Sequence, residues 1–280
     1  MHHFGPEGPR PPPTHFMWPA KAVGDVHQVV SNHGYWYVLF CQQYMYNHIS
    51  VTFFNLLFLI IIIISIYFRR CPHSHDQCQS KDPIELRLEV VSVKPRVFVI
   101  ENFLNAFESE HVIALAKVGE KDSVVSAEGR RSEIRTSSNS WVYRESDALI
   151  DSLHKRAGDV LQVDEKLLHA HSACEPLQVV HYETGEKYGV HHDWFPEDYS
   201  ETRLITLLLY LTDQASPNAG GETSFPKGGA DGLGFKVKPK KGTAVLFYNL
   251  LDDGNLDDLA LHEALPVLEG EKWLANFWVW

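Results

Sequence analysis

Three residues in the C-terminal part of the sequence have side chains that bind transition metals. His191 and Asp193 are separated by one residue in the stretch YGVHHD, and such a pair points to the same side of a β-strand. His262 follows much later, on another predicted strand. Two imidazoles and one carboxylate leave three neighbouring positions of a six-coordinate Fe(II) free for a bidentate cosubstrate and O₂. By themselves these three residues predict a metal site, and their types would suit iron.

The HxD pair is weak evidence alone, because the chain contains 16 histidines. His192 lies between the pair, and strand alternation predicts that its ring points to the opposite face, as a surface or supporting residue. Lys272, shortly after His262, adds a second requirement. A 2-oxo acid that chelates iron places its far carboxylate deep in the protein, where it needs a cation. The full set therefore predicts a 2-oxoglutarate site with Lys272 as the partner of that carboxylate.

Short apolar strands separated by turn clusters follow from Leu177 to the end of the chain. Two amphipathic helices precede them: one from Asn105 to Lys117, with Phe107, Val112, Ile113 and Leu115 as its apolar set, and one that begins near Ser146 as its cap. Many short strands in a row indicate a jelly roll or barrel. We predict an α+β fold, mainly β, with flanking helices and one transmembrane helix before it. The predicted strands are LRLEVVSV, RVFVIENFL, LQVVHY, RLITLLLYLT, GFKVKP, TAVLFYNL and WLANFWVW.

An uncharged apolar run, VTFFNLLFLIIIIISIYF, occupies residues 51–68. A helix that spans a bilayer needs about 17–25 such residues, so we predict a transmembrane helix here. An N-terminal tail, disordered in part, would occupy residues 1–50, a polar linker 69–85, and the catalytic domain 86–280. Arg69 and Arg70 follow the run directly, and the positive-inside rule would place that domain in the cytosol.

The charge and cysteine content exclude some classes of protein. The formal net charge is −11 without a Lys/Arg stripe, which argues against nucleic acid as a partner. The four cysteines are too few for a disulfide scaffold, although Cys71 and Cys78 could pair in an oxidising compartment.

From residue 97 to residue 280 the sequence resembles the prolyl 4-hydroxylase family, meaning the catalytic α-subunit domain of the collagen enzymes and their small, membrane-anchored plant and algal relatives. The resemblance implies a double-stranded β-helix (jelly roll) core. It also implies His191, Asp193 and His262 as Fe(II) ligands, and Lys272 as the partner of the 2-oxoglutarate 5-carboxylate. The blocks that carry it are LQVVHYETGEKYGVHHDWF, RLITLLLYLTD, GGETSFP, VKPKKGTAVLFYNL and LHEALPVLEGEKWLANFWV.

The same resemblance implies a reaction and further site residues. The expected activity is hydroxylation of peptidyl proline at C4, of the procollagen-proline type, with 2-oxoglutarate converted to succinate, O₂ as oxidant and L-ascorbate to rescue oxidised iron. Tyr182 matches a tyrosine near the cosubstrate and substrate, and Trp278 an aromatic residue of the active site. The segment RTSSNSWVYR resembles the family's substrate side, so Arg135 and Trp141 are expected to contact a proline-containing peptide.

Relatives of this kind are signal-anchored proteins of the endoplasmic reticulum or Golgi, with the catalytic domain in the lumen. We expect that location, because long C-terminal domains translocate largely regardless of nearby charge. Three alternatives stay open: a 2-oxoglutarate oxygenase with another substrate, an inactive membrane-tethered binding module of the same fold, and a zinc protein. The intact HxD, His and Lys positions argue against the second, and a zinc site gives Lys272 no role.

Overall fold

The structure, a computed structural model, describes residues 16–34, 83–119, 121–122, 134–170, 172–194 and 202–280. Within these ranges the chain forms mainly β-strands, with two α-helices and three short 3₁₀ turns. The strands are β1 (Val26–Ser31), β2 (Ile84–Ser92), β3 (Val97–Ile100), β4 (Lys121–Asp122), β5 (Ser138–Val142), β6 (Leu177–Tyr182), β7 (Tyr188–His191), β8 (Ile205–Tyr210), β9 (Thr223–Phe225), β10 (Phe235–Val237), β11 (Ala244–Tyr248), β12 (His262–Ala264) and β13 (Lys272–Val279). The helices are α1 (Ala106–Gly119) and α2 (Ala148–Leu161), and the 3₁₀ turns are Arg144–Ser146, Glu165–Leu167 and Asp258–Ala260.

The strands pair antiparallel in two sheets. The large sheet has nine strands in the order β1-β2-β3-β11-β8-β13-β6-β5-β4, and the small sheet has four in the order β10-β9-β12-β7. Antiparallel sheets with few helices are consistent with a jelly roll, so the predicted mainly β fold is confirmed.

The central strands β8, β11 and β13 of the large sheet are buried on both faces, which explains why they are continuous apolar runs. In β8, Ile205, Leu207 and Leu209 belong to the core shared with the helices, whereas Leu208 and Tyr210 face the core shared with the small sheet. Successive side chains of a strand point to opposite faces. One apolar run therefore contributes to two cores, and the inner core contains the polar residues of the site described below.

Residues 16–34 belong to the same folded unit. β1 pairs with β2 along its whole length, from Val26 opposite Glu89 to Ser31 opposite Ile84. The indole Nε1 of Trp18 also donates a hydrogen bond to the Val160 carbonyl at 2.7 Å. The predicted start of the catalytic domain at residue 86 leaves out β1 and the first two residues of β2.

The apolar run at residues 51–68 lies outside the described residues. Within the part of the chain that the structure describes, no helix combines the length and the apolar character needed to cross a bilayer.

The pairing of β1 with β2 nevertheless restricts how the intervening chain can meet a membrane. Ser31 and Ile84 are partners in one ladder, so the chain between them begins and ends on the same side of any bilayer. A single crossing within residues 51–68 would put two hydrogen-bonded strands on opposite sides. The predicted single-pass arrangement therefore conflicts with this sheet.

The helices differ in detail from the predictions. The cap of α2 is Asp147 rather than Ser146: the Asp147 carboxylate accepts hydrogen bonds from the backbone N–H groups of Leu149 and Ile150 at 2.9 and 3.0 Å. In α1, Val112 of the predicted apolar set is fully buried and its other three members are partly buried, whereas the charged Glu108 is also fully buried.

Glu108 is buried because it forms an ion pair with Arg156 of α2. Arg156 donates hydrogen bonds to both carboxylate oxygens of Glu108, at 2.6 and 2.9 Å. Arg156 is 0% exposed and Glu108 is 1% exposed. The guanidinium also donates to the carbonyls of Phe103 and His33. Because His33 follows β1, this interaction joins both helices to the N-terminal strand.

We expect the substitution Arg156→Leu to lower the free energy of unfolding by about 3–5 kcal/mol, because Glu108 would stay buried without a partner. The double variant Arg156→Leu/Glu108→Leu should recover part of that loss. Denaturant unfolding followed by fluorescence measures both. Lys240→Ala, which removes an exposed ion pair with Glu101, is the control and should cost at most about 1 kcal/mol. A similarly small loss for Arg156→Leu would contradict the expectation.

Candidate active site

The three predicted metal ligands lie together in the structure. His191 ends β7 and His262 begins β12, and the two residues are register partners in the small sheet. Asp193 lies beyond the end of β7, so a turn rather than strand alternation brings its carboxylate back towards His191. The ligand atoms lie within 4.8 Å of one another, with His191 Nε2 3.9 Å from Asp193 Oδ1 and His262 Nε2 3.7 Å from Asp193 Oδ2. This cluster can hold a metal ion.

Both imidazoles present the nitrogen that a metal requires. Nδ1 of His191 lies 2.8 Å from the Gly189 carbonyl oxygen, and Nδ1 of His262 lies 2.9 Å from the Ala260 carbonyl oxygen. A carbonyl oxygen only accepts hydrogen bonds, so the proton of each ring is on Nδ1. The unprotonated Nε2 atoms then face the cluster, as in metal sites whose outer partners fix the tautomer.

The charges around the cluster also favour metal binding. Burial lowers the pKa of His191, and the neighbouring His262 ring lowers it further. Burial would raise the pKa of Asp193, but His262, His191, Arg203 and the Thr206 hydroxyl together lower it below its usual value. At neutral pH the cluster therefore holds a neutral His191 and an ionised Asp193, which are the states that bind a metal.

A cavity of about 300 Å³ opens beside the cluster between the two sheets. His192 also borders it, and its Nε2 lies 3.3 Å from the Asp258 carbonyl oxygen, outside the cluster of ligand atoms. The other side chains that line the cavity are Arg135, Gln178, Tyr182, Tyr188, His191, Asp193, Arg203, Leu208, Thr223, His262, Glu263, Ala264, Leu274, Asn276 and Trp278.

Lys272 lies on the inner face of β13. It alternates with Leu274, Asn276 and Trp278, and those three residues line the cavity. Its Nζ lies 5.2 Å from the ring centroid of Tyr182, another cavity residue. The side chain is 3% exposed, and burial lowers the pKa of Lys272 to about 7.

The Lys272 ammonium makes no hydrogen bond to any described residue. A buried cation without a partner is unfavourable, unless a bound anion completes it. The 5-carboxylate of 2-oxoglutarate is such an anion. The residues present therefore fit an iron ion held by two histidines and an aspartate, with a dicarboxylate cosubstrate that reaches Lys272.

Tyr182 and Trp278 lie in the cavity wall, whereas Trp141 lies outside it. Tyr182 is buried in the cavity wall, and burial raises its pKa to about 12. The indole Nε1 of Trp278 donates to Asp193 Oδ2 at 3.1 Å. Trp141 is 41% exposed and does not line the cavity, although its ring centroid lies 6.3 Å from that of Trp278.

Arg135 lies in the cavity wall because the chain before β5 adds to the edge of the small sheet. Arg135 bridges to Tyr188 of β7, and the Gly189 backbone N–H donates to the Ile134 carbonyl at 2.8 Å. The guanidinium lies over the Tyr188 ring, 4.7 Å from its centroid, and the residue is 8% exposed. A buried cation thus borders the cavity.

Two supporting residues were not found from the sequence. Thr206 donates a hydrogen bond to Asp193 Oδ2 at 2.7 Å, and Asn249 donates to the Thr206 hydroxyl at 3.0 Å. A signal was available for Thr206, because it is a polar residue inside the apolar strand ITLLLY.

Comparison with known proteins agrees with this site. Residues 177–280 match the family model of the 2OG-Fe(II) oxygenase superfamily. Over 235 residues the chain is 34% identical to probable prolyl 4-hydroxylase 3 of Arabidopsis thaliana, which covers 76% of this chain and 78% of that relative. Prolyl 4-hydroxylase 5 of the same plant is 35% identical over 215 residues, or 68% of this chain and 70% of the relative. The chain belongs to the prolyl 4-hydroxylase family.

A solved structure is similar as well. The viral collagen prolyl hydroxylase of Paramecium bursaria Chlorella virus-1, in its complex with 2-oxoglutarate, is 30% identical in sequence. The match covers 65% of this chain and 94% of the viral chain, with a TM-score of 0.51. The prediction of a 2-oxoglutarate- and Fe(II)-dependent prolyl hydroxylase is therefore confirmed.

We expect the substitution Lys272→Met to have opposite effects on stability and on cosubstrate binding. It removes a buried ammonium without a partner, so the apo protein should unfold at a higher temperature. It also removes the cation for the 5-carboxylate, so 2-oxoglutarate should bind about 10–100-fold more weakly. Thermal unfolding and calorimetric titration measure the two effects. The exposed Lys236→Met is the control, and unchanged 2-oxoglutarate affinity in Lys272→Met would contradict the role of Lys272.

Proposed function

We propose that this prolyl 4-hydroxylase hydroxylates peptidyl proline at C4, in the manner of procollagen-proline enzymes, and converts 2-oxoglutarate to succinate. The observation that carries the proposal is the buried cluster of His191, Asp193 and His262, which shares a cavity wall with the row of β13 that begins at Lys272. When bound, iron and 2-oxoglutarate would supply the oxidising power, from O₂, that replaces a C–H bond of proline with C–OH.

The residues of the chain would bind and orient these groups. His191, Asp193 and His262 would hold the iron, and Lys272 would fix the far carboxylate of the cosubstrate, with Tyr182 beside it. The walls of the cavity are largely buried, which limits access of water to the reacting groups. The protein therefore orients the reacting groups and limits the access of water to them. It does not supply a proton at the reacting carbon.

A proline-containing peptide suits the outer part of the cavity. Proline has no N–H, and extended proline-rich segments leave their carbonyl groups unpaired. The guanidinium group of Arg135, which borders the cavity, can donate to such carbonyls. Tyr188 and Trp278 add aromatic surface, which proline-rich segments favour. Trp141 lies outside the cavity but close enough to Trp278 to extend that surface.

The proposal includes L-ascorbate as the reductant that restores Fe(II) after turnovers without substrate. The family resemblance supports this point.

Purified protein supplied with Fe(II), 2-oxoglutarate and a proline-rich peptide should form succinate and 4-hydroxyproline together. Asp193→Ala and His191→Ala should lose both products, because the metal would lose a ligand. The exposed His169→Ala is the matched control. Mass spectrometry of the peptide and a succinate assay provide the measurements. Full activity in Asp193→Ala would overturn the iron site.

Other outcomes separate the alternatives. Succinate without 4-hydroxyproline from any proline peptide would indicate a 2-oxoglutarate oxygenase with another substrate. Wild-type protein that binds neither iron nor 2-oxoglutarate would indicate a binding module.

We further propose that the enzyme is attached to the membrane of the endoplasmic reticulum or Golgi, with its catalytic domain in the lumen. The apolar run at residues 51–68 and the family resemblance support the attachment. Given the β1–β2 pairing, that attachment must enter and leave the membrane on the luminal side. An even number of crossings or a shallow insertion satisfies this condition.

Tags at the two ends of the chain test this topology in sealed microsomes. We expect both tags to resist added protease until detergent is present, because β1 and the catalytic domain lie on one side. Digestion of the N-terminal tag alone would contradict the β1–β2 pairing. Digestion of both tags in intact microsomes would contradict the luminal location.

A further inference from the structure

We infer that Thr206, Asn249 and Trp278 form a positioning group for the Asp193 carboxylate, which leaves Oδ1 as the oxygen that binds the metal. The inference rests on the metal site of the proposed function and assigns the residues that determine its geometry. None of the three residues is itself a metal ligand in that site.

The Oδ2 oxygen of Asp193 already accepts two hydrogen bonds. The Thr206 hydroxyl donates at 2.7 Å and the Trp278 indole N–H at 3.1 Å. Two donors occupy the favoured acceptor directions of one carboxylate oxygen. The charged or ring neighbours of Oδ1, His191 Nε2 and Arg203 Nη1, both lie at 3.9 Å, beyond hydrogen-bond distance. Oδ1 is therefore the oxygen left for a metal.

The two donors are placed by the pairing of two central strands. Thr206 of β8 lies directly opposite Trp278 of β13 in the large sheet. Their side chains share the inner face, and Asp193 reaches them from the turn after β7. The carboxylate is thus held against the large sheet, although the metal-binding histidines belong to the small one.

Asn249 determines which way the Thr206 hydroxyl points. Its side-chain amide donates to Thr206 Oγ1 at 3.0 Å, so the single hydroxyl proton is left to donate to Asp193. Asn249 is fully buried, and its backbone N–H donates to the Leu204 carbonyl at 2.9 Å. The direction of the hydrogen bond from Thr206 therefore follows from the fold.

Trp278 is held from its other side. The Arg203 guanidinium lies 3.5 Å from the centroid of the Trp278 ring system, and Glu175 binds that guanidinium through both carboxylate oxygens, at 2.5 and 3.0 Å. The indole N–H thus has little freedom to turn away from Asp193.

A carboxylate that binds through one oxygen leaves more of the metal's coordination sphere free than one that binds through both. The cosubstrate and O₂ together need three positions, so a second bond from Asp193 would block one of them. Residues that fix a ligand in this way typically change metal affinity about 10–100-fold when they are replaced. The positioning group should therefore affect both the affinity and the geometry of the site.

Cobalt(II), whose absorption spectrum reports coordination geometry, is the probe for this inference. Thr206→Val keeps the shape of the side chain and removes the hydroxyl, and we expect it to weaken Co(II) binding about tenfold or more and to alter the spectrum. Thr206→Ser keeps the hydroxyl and should restore both. Thr243→Val is the matched control, because the buried Thr243 hydroxyl has no hydrogen-bond partner among the described residues.

The outcomes separate this inference from the proposed function. If the wild-type protein does not bind Co(II), the metal site itself is wrong. If it does, and Thr206→Val binds within twofold with an unchanged spectrum, the positioning group is wrong. Thermal unfolding shows whether each variant is folded. If Thr206→Val does not fold, Trp278→Phe removes the other donor while keeping a ring, and an unchanged spectrum there overturns the inference.

Discussion

The carboxylate of Asp193 is ionised and buried where the two sheets face each other, and much of the surrounding structure stabilises it there. A buried charge without compensation costs on the order of several kcal/mol. Here Thr206 and Trp278 donate hydrogen bonds to the carboxylate from one side, and the rings of His191 and His262 lie on the other, where a metal ion would add its positive charge. Because the histidines belong to the small sheet and the two donors to the large one, the site exists only when the sheets pack together.

The other buried charges of the protein differ in whether they are satisfied. Arg156 and Glu108, which join the helices to the N-terminal strand, have complete hydrogen bonding. Among the buried side-chain atoms without a partner in the described residues, only Nζ of Lys272 is a potentially charged group. The buried ion pair of Arg156 and Glu108 is thus complete within the protein, whereas Lys272, which lies next to the cavity on β13, is left for a ligand. This difference identifies a binding group without reference to any relative.

The position of strand β1 in the large sheet affects how the protein can be attached to a membrane. This strand lies next to β2 in the large sheet, yet the apolar run at residues 51–68 separates the two strands in sequence. Hydropathy alone describes the run as a spanning helix and treats the residues before it as a separate tail. The sheet adds a condition that hydropathy does not contain, because hydrogen-bonded strands cannot lie on opposite sides of a membrane.

The sequence by itself determined which residues could do chemistry and which apolar runs form the central strands. The residue types in HxD, His262 and Lys272 restrict the chemistry strongly, and strands buried on both faces are recognisable as apolar runs. The tertiary structure alone decided that Asp193 follows β7 instead of lying on it, that Asp147 caps α2, and that β1 joins the sheet. It also decided the partners of Asp193, because Thr206, Trp278 and Asn249 come from distant parts of the chain. Local patterns report the period and polarity of a segment. The partner of a buried polar group depends on which strands lie side by side and in which register, and those are properties of the folded chain.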